Sequence, residues 1–567
     1  MMKLFSFRST LFLFAALLLS LSVIVIGCAD GTPGGQSMAI SSAQSESAPN
    51  KLAALSEASD EEVYTGEEAT EESKSFNYAD ESEPIYENPF RSVSSSPLST
   101  FSIDVDAASY SNVRGYLNRG EAPPPAAVRV EELVNYFSYD YPEPTGEHPF
   151  AFNTEVADCP WNPEHRLVRV ALQGKDVAAN QMPPSNLVFL IDVSGSMDSD
   201  DKLPLLKQSF HALIDRLRPE DRVAIVAYAG QAGMVLPSTS GADKGAIRKA
   251  IDVLESGGST AGGAGISMAY KIAKKYYQEG GNNRVILATD GDFNVGVSDD
   301  GELVKLIESK RDEGIFLSVL GFGTGNYQDR KMEGIADNGN GNYYYIDNIR
   351  EGKRVLVSEL SSTLYTIAKD VKLQIIFNPA KVQAYRLVGY ENRVLAAQDF
   401  DNDAKDAGEL GAGHSVTAFY EVVPVGGEVG YEVDHSKAED YQDAGKENIR
   451  FTREDLMAAR LRYKQPNASA SKLIEHRVAD NHTPISLTSG EFKFATAVAE
   501  WGMLLRGSSY SGSASFSQVA QLARAGLGND EDGYRFEFLT LVERSASLRG
   551  ERITSDVKVN GGGARLR

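Results

Sequence analysis

The sequence predicts an α/β protein: a doubly wound, mostly parallel sheet inserted in a β-sandwich, with a helical segment towards the C-terminal end. Three observations predict it. Short apolar runs alternate with helical periods between residues 185 and 369. Strand-like sequence flanks that stretch on both sides, over 150–174 and 371–465. Apolar residues at helical spacing return from Phe494 onward. Alternating β and α implies a parallel sheet covered by helices on both faces. Strands before and after it must then find each other across the insertion.

The first 27 residues read as a targeting segment. Lys3 and Arg8 precede an uncharged run from Ser9 to Gly27, which ends Val25-Ile26-Gly27-Cys28. A basic start, an apolar centre and small residues at the cut site describe a secretory signal. The ending resembles the lipobox of bacterial lipoproteins, and that resemblance makes Cys28 the lipidated first residue of the mature chain. An uncleaved membrane anchor is the alternative, since the run is about long enough to span a bilayer. Either way the protein is expected to be exported and held at a bacterial membrane, within the cell envelope.

Residues 28–97 are rich in Ser, Ala and Glu, and Glu57, Asp60, Glu61, Glu62, Glu67, Glu68, Glu71 and Glu72 face only Lys74. Such composition buries too little apolar surface to offset its ordering entropy, so an acidic tether is expected. A first folded region spans 98–182. It opens on Thr100–Asp106, carries short helices at Tyr110–Leu117 and Val130–Phe137, and turns strand-like from Phe150 to Leu172. Asp104 and Asp106 read as a solvated strand end.

The α/β region spans 183–369. Its strands are expected at Leu187–Ile191, Val223–Tyr228, Val285–Ala288, Ile315–Leu320 and Tyr343–Ile346. Leu203, Leu206, Phe210, Leu213 and Leu217 recur at spacings of three and four, as one face of a helix does. Residues 370–555 read as β-rich and then helical. Strands are expected at Val371–Phe377, Val382–Val388, Ser415–Val423 and Gly430–Val433. Helices are expected around Phe494–Leu505, Phe516–Ala525 and Arg535–Ser545, and residues 556–567 form a flexible tail.

The net charge of −23 disfavours nucleic acid as a partner, and no basic stripe overturns that. Only Cys28 and Cys159 occur, so a lipidated Cys28 leaves Cys159 without an intramolecular disulfide partner.

Chemistry concentrates at the first strand of the α/β region. Asp192, Ser194 and Ser196 follow the apolar run Leu187–Ile191, at the strand tip where open α/β sheets bind ligands. Their alternation lets a turning backbone aim three oxygens at one point, and hard oxygens suit Mg2+ ahead of Mn2+ and Ca2+. Gly257-Gly-Ser-Thr260 presents the Thr260 hydroxyl on a glycine-flexed loop, and Ala288-Thr-Asp290-Gly291 puts Asp290 at another strand tip. In that order and spacing the three motifs resemble the von Willebrand factor type A (VWA) family, whose fold is Rossmann-like. The resemblance implies a metal-ion-dependent adhesion site. Ser194, Ser196 and Thr260 would ligate the ion by hydroxyl, with Asp192 and Asp290 acting directly or through water. It also implies a protein ligand presenting an Asp or Glu carboxylate to the ion. Loop residues Asp198, Gln231, Asp292, Asn294 and Tyr327 are weaker candidates for the surrounding contact surface. Segments around Ser102–Asp106, Tyr136-Phe137 and Val382–Arg393 resemble the extra domains of a bacterial lipoprotein family built on this module.

Enzymatic alternatives find little support. No phosphate-binding loop, no Gly-x-Ser-x-Gly and no His-Glu-x-x-His occurs. His476 and His482 are six apart, the wrong spacing for a zinc pair on one helix face. Asp399, Asp401 and Asp403 mimic the start of a calcium loop, which fails at Ala404 and Leu410. The expectation is a non-enzymatic, cation-dependent binding protein. The alternatives are a scaffold or assembly protein without a metal-dependent ligand, and a Mg2+-dependent hydrolase.

Overall fold

The structure is a computed structural model. It describes residues 85–103, 106–258, 262–291, 300–323, 329–359, 365–405, 407–436, 449–466 and 468–553.

The central sheet runs in the order Tyr343–Ile346, Phe316–Phe322, Asn282–Thr289, Ser185–Asp192, Arg222–Tyr228, Ala232–Ser240. The first five strands are parallel, and Ala232–Ser240 closes one edge antiparallel to Arg222–Tyr228. All eight residues of Ser185–Asp192 are buried, which explains the unbroken apolar run. Its side chains alternate between two cores, as the strand period of two requires. Leu187, Phe189 and Ile191 join one core with the helix Leu203–Arg216. Val188 and Leu190 join the other with Gly262–Lys275. Gly265 lets that helix approach closely, since a Cβ there would stand 3.0 Å from Leu190 Cδ1 and 3.1 Å from Tyr228 Cβ.

The flanking segments do pair across the insertion. Asn162–Gly174, before the α/β unit, is antiparallel to Ser415–Pro424, after it. That sheet runs Val433–Asp434, Phe90–Ser92, Val382–Val388, Ser415–Pro424, Asn162–Gly174, Phe150–Cys159. The second runs Val394–Leu395, Leu98–Ser102, Thr366–Phe377, Asp455–Lys464, Ser471–Ala479, with Gly408–Gly411 also on Thr366–Phe377. Val168, Val170 and Leu172 from one sheet share a core with Leu373, Ile375 and Phe377 from the other, which makes a sandwich. The outer face of the first sheet, through Leu167, Ala171 and Phe419, packs under the helices Gly490–Arg506, Phe516–Ala525 and Tyr534–Leu548 and the N-terminal helices Ala108–Asn118 and Val130–Asn135. Ser489 and Gly507 bound the longest of these. Ser489 Oγ accepts from Phe492 N–H, and Gly507 adopts φ +72 as the C-terminal cap.

Three expectations need correction. Ordered structure begins inside the stretch 28–97 read as tether: Phe90–Ser92 is antiparallel to Val382–Val388 and parallel to Val433–Asp434. Gly430–Val433 is a strand only at Val433–Asp434. Asp106 is buried rather than solvated, accepting from Tyr343 N–H at 3.1 Å and pairing with Arg393. Residues 1–84, including Cys28 and the acidic cluster, and the tail 556–567 lie outside the described residues.

Candidate functional site

The five parallel strands all end at one edge of the central sheet, and the sequence motifs converge there. Asp192 is the last residue of its strand, in register with Tyr228 on one side, while Ile191 is in register with Ala288 on the other. Asp192 is therefore flanked by the ends of both neighbours. Its carboxylate is fully buried and held by three donors. Ser194 N–H donates to Oδ1 at 2.9 Å, and Tyr228 OH and Thr289 Oγ1 donate to Oδ2 at 3.2 and 3.3 Å. Burial pushes the Asp192 carboxyl up, and the neighbouring Asp290 adds to that against the hydrogen bonds from Ser194.

After Asp192 the chain turns into a short 3-10 helix, Gly195–Asp198. Gly257 N–H donates to Val193 O at 2.8 Å and Gly195 N–H donates to Gly258 O at 3.1 Å, which ties this turn to the glycine loop. The result brings the hydroxyls of Ser194 and Ser196 to 3.0 Å from each other. Ser194 is buried and Ser196 is exposed, so the pair bridges from the sheet tip to solvent. Adjacent ligands in an octahedral Mg2+ shell, each about 2.1 Å from the ion, stand about 3 Å apart. The described donors thus fit a hard cation: two neutral hydroxyls side by side, with two carboxylates behind them. Among the described residues no group of three or more His, Cys, Asp or Glu forms a metal cluster.

Asp290 follows the strand Asn282–Thr289 and is buried at the same edge. The sequence reading missed its partner. Lys202 Nζ donates to Asp290 Oδ2 at 2.9 Å and to Ser196 O at 2.9 Å. It also missed Tyr228 and Thr289, which orient Asp192. Thr289 stood within the Thr-Asp-Gly motif, whereas nothing in the spacing marks Lys202 or Tyr228. Asp198 and Gln231 are exposed at this edge, and Asp198 Oδ1 accepts from Ser256 Oγ at 2.5 Å. Thr260, Asp292, Asn294 and Tyr327 lie outside the described residues.

The two histidines weighed as a zinc pair do not converge. His476 and His482 bind different partners, Thr154 and Asp158. Asp401 pairs with Arg462, and Lys372 Nζ donates to the carbonyls of Asp399 and Asn402. The aspartate loop is therefore cross-braced by cationic side chains. Cys159 is buried and its thiol is pushed well up by burial.

Comparison with known proteins agrees with the fold. Residues 186–357 match the von Willebrand factor type A domain, residues 77–169 match a family described as von Willebrand factor, and residues 362–548 match the C-terminal region of the uncharacterized protein YfbK. The uncharacterized protein YfbK of Escherichia coli is 43% identical over 474 residues, which span 81% of this chain and 79% of that protein. The uncharacterized protein sll0103 of Synechocystis is 33% identical over 186 residues, 33% of this chain and 43% of that protein. Among solved structures, a von Willebrand factor type A protein from Catenulispora acidiphila covers 71% of this chain and 92% of its own, at 16% identity and a TM-score of 0.38.

Proposed function

The chain belongs to the YfbK family of bacterial VWA-domain proteins, and on that premise we propose that it binds a protein partner through a divalent cation held at the tips of the central sheet. VWA domains are in general modules of protein–protein interaction. The observation that carries the finer reading is the pair Ser194 and Ser196, their hydroxyls 3.0 Å apart above a buried, three-fold hydrogen-bonded Asp192.

Ser194, Ser196 and Thr260 are the hydroxyl ligands in this reading, with Asp192 and Asp290 in contact directly or through water. Mg2+ is favoured over Mn2+ and Ca2+ by ligand hardness and number. When bound, the ion supplies a positive charge with an exchangeable position that an Asp or Glu carboxylate of the partner takes. The protein's own residues do the positioning. Tyr228, Thr289 and Ser194 fix the Asp192 carboxylate, the glycine loop pins the turn, and Asp198 and Gln231 form part of the contact rim. Asp292, Asn294 and Tyr327 belong to the same rim on sequence grounds. This reading assigns no nucleophile or general base and makes the protein a binder rather than an enzyme. Cys28 carries the lipid that holds it at a bacterial membrane, with the acidic stretch ahead of Phe90 as spacer.

A scaffold role without a metal-dependent ligand is the second reading. It is favoured by the buried ion network in which Arg114 pairs with Asp347 and Glu351 of the α/β region and with Glu537 of a C-terminal helix. Calorimetric titration of Mg2+ into the full chain in detergent, beside Asp192→Ala, separates the two. Saturable binding lost in the variant supports the cation site, and no binding to either protein leaves the scaffold.

A further inference from the structure

Lys202 belongs to a loop that carries Asp198, Asp200 and Asp201, where a lysine would ordinarily extend into water. Instead its side chain turns inward and is only 15% exposed. The stem runs over Gly323, at the end of Phe316–Phe322, where a Cβ would collide with the lysine methylenes. Gly323 holds φ +82, a conformation that other side chains rarely adopt. Two loops thus leave a channel along which the ammonium reaches Asp290 Oδ2 and Ser196 O, each at 2.9 Å. Those are the carboxylate and the residue assigned to the cation above, and Asp290 itself is 1% exposed.

We propose that Lys202 is a tethered cation that competes with the divalent ion for Asp290, and so sets how tightly the site takes metal. The inference rests on the cation reading of the site. Without metal, Asp192 and Asp290 are two acidic groups at one buried edge, and the ammonium offsets one negative charge and keeps Asp290 aimed inward. A divalent ion entering beside Ser194 and Ser196 then meets a site that already holds a positive charge. Like charges a few ångströms apart at a partly buried edge repel by well over a factor of ten in binding, even at a high effective dielectric. Occupancy therefore needs the ion to displace Lys202 from Asp290 or to bind against its charge. A simple staple between two loops would help to preform the site and so tighten metal binding.

The test is Mn2+ binding, followed by the paramagnetic resonance signal of the free ion, to the full chain in detergent as wild type, Lys202→Met and Lys202→Arg. Lys202→Met keeps the stem over Gly323 and removes the charge. It is expected to bind Mn2+ at least about tenfold tighter than wild type, while Lys202→Arg stays within about threefold. In chelator, Lys202→Met is expected to melt below wild type, with saturating Mn2+ closing the gap. Binding by Lys202→Met alone, with wild type silent, also supports the proposal. Equal or weaker binding by Lys202→Met overturns it and leaves the metal site standing, as does equal tightening by Lys202→Arg. Absence of binding in all three proteins overturns both readings.

Discussion

Arg114 donates to Glu351 Oε2 at 2.7 Å, and each of the two side chains is 1% exposed. Arg114 stands on the helix Ala108–Asn118, outside the α/β region, and Glu351 on the helix Ile349–Lys353 that closes it. The same guanidinium binds Asp347, donates to Tyr136 OH at 2.8 Å and pairs with Glu537 at 3.2 Å. Tyr136 OH in turn donates to Glu351 Oε2, and Arg354 pairs with Glu351 Oε1. One buried cluster therefore joins the inserted region to segments before and after it.

Arg114→Met is expected to cost about 3–5 kcal/mol, because it takes the guanidinium from the largely buried carboxylate of Asp347 and leaves Glu351 paired with Arg354. Burial pushes the Glu351 carboxyl up, but Arg354 and Arg114 outweigh it and hold the group at about 2. A carboxyl depressed on folding contributes stability above the unfolded value, and that contribution fades as pH falls towards about 2. Removing Arg114 weakens the depression, so the acid transition should move to higher pH. Urea unfolding at neutral pH and an acid titration followed by circular dichroism check both points. A loss below about 1 kcal/mol would show the cluster to be energetically idle.

Glu500 has the opposite pH signature. It lies fully buried on the helix Gly490–Arg506, and burial pushes its carboxyl up to about 8, despite the Ser515 N–H that donates to it at 3.1 Å. A carboxyl raised on folding binds its proton more tightly in the native state. Its contribution is complete below the unfolded value near pH 4.5 and is lost as pH rises to about 8. Glu500→Gln keeps the acceptor for Ser515 and cannot ionise. Wild type should lose roughly a few kcal/mol relative to the variant between pH 5 and pH 8. Parallel stability curves for the two proteins over that range would refute a buried neutral Glu500.

The central sheet was legible because its strands are buried on both faces, so Leu187–Ile191 and Val223–Tyr228 stand out as unbroken apolar runs. Ala232–Ser240 gave no such signal. It is a half-buried edge carrying Gly233 and Pro237, and such an edge needs no apolar face. Phe90–Ser92 was hidden for a different reason. Three residues in polar surroundings carry no period, and only pairing with Val382–Val388 makes them a strand. Ser471–Ala479 is largely exposed and charged, so it too lacks a core-facing pattern. At the site, Asp192, Ser194, Ser196 and Asp290 were readable because each sits beside its own strand in sequence. Lys202 meets Asp290 from 88 positions away, and Arg114 meets Glu351 from 237 away. Charge pairs that distant follow from the tertiary fold alone.

Cys28→Ser separates the two readings of the N-terminal run. If Cys28 bears the lipid, the serine variant cannot be acylated, and the anchoring energy of the buried chains disappears. The protein should leave the membrane pellet or accumulate as an unprocessed precursor, and metabolic labelling with a fatty acid should fall to background. Continued tight anchoring of a full-length, unlabelled chain would instead mean that the run from Ser9 to Gly27 spans the bilayer uncleaved.

Asp192→Ala tests whether the strand tip is a cation site or merely a well-capped turn. The substitution removes the acceptor for Ser194 N–H, Tyr228 OH and Thr289 Oγ1 together. Buried donors left unpaired cost about 1–3 kcal/mol each, but loss of a carboxylate that burial already penalises offsets much of this. Stability should therefore fall by about 1–3 kcal/mol, with the fold retained. Mg2+ binding should fall much further, because the variant loses one of the two carboxylates assigned to the ion and the anchor that aims Ser194. Thermal unfolding with and without Mg2+ reads both effects in one experiment. Wild type should gain stability with added ion, since a ligand that binds only the native state raises the melting temperature, and Asp192→Ala should gain none. An equal gain in both proteins would place the cation elsewhere on the chain.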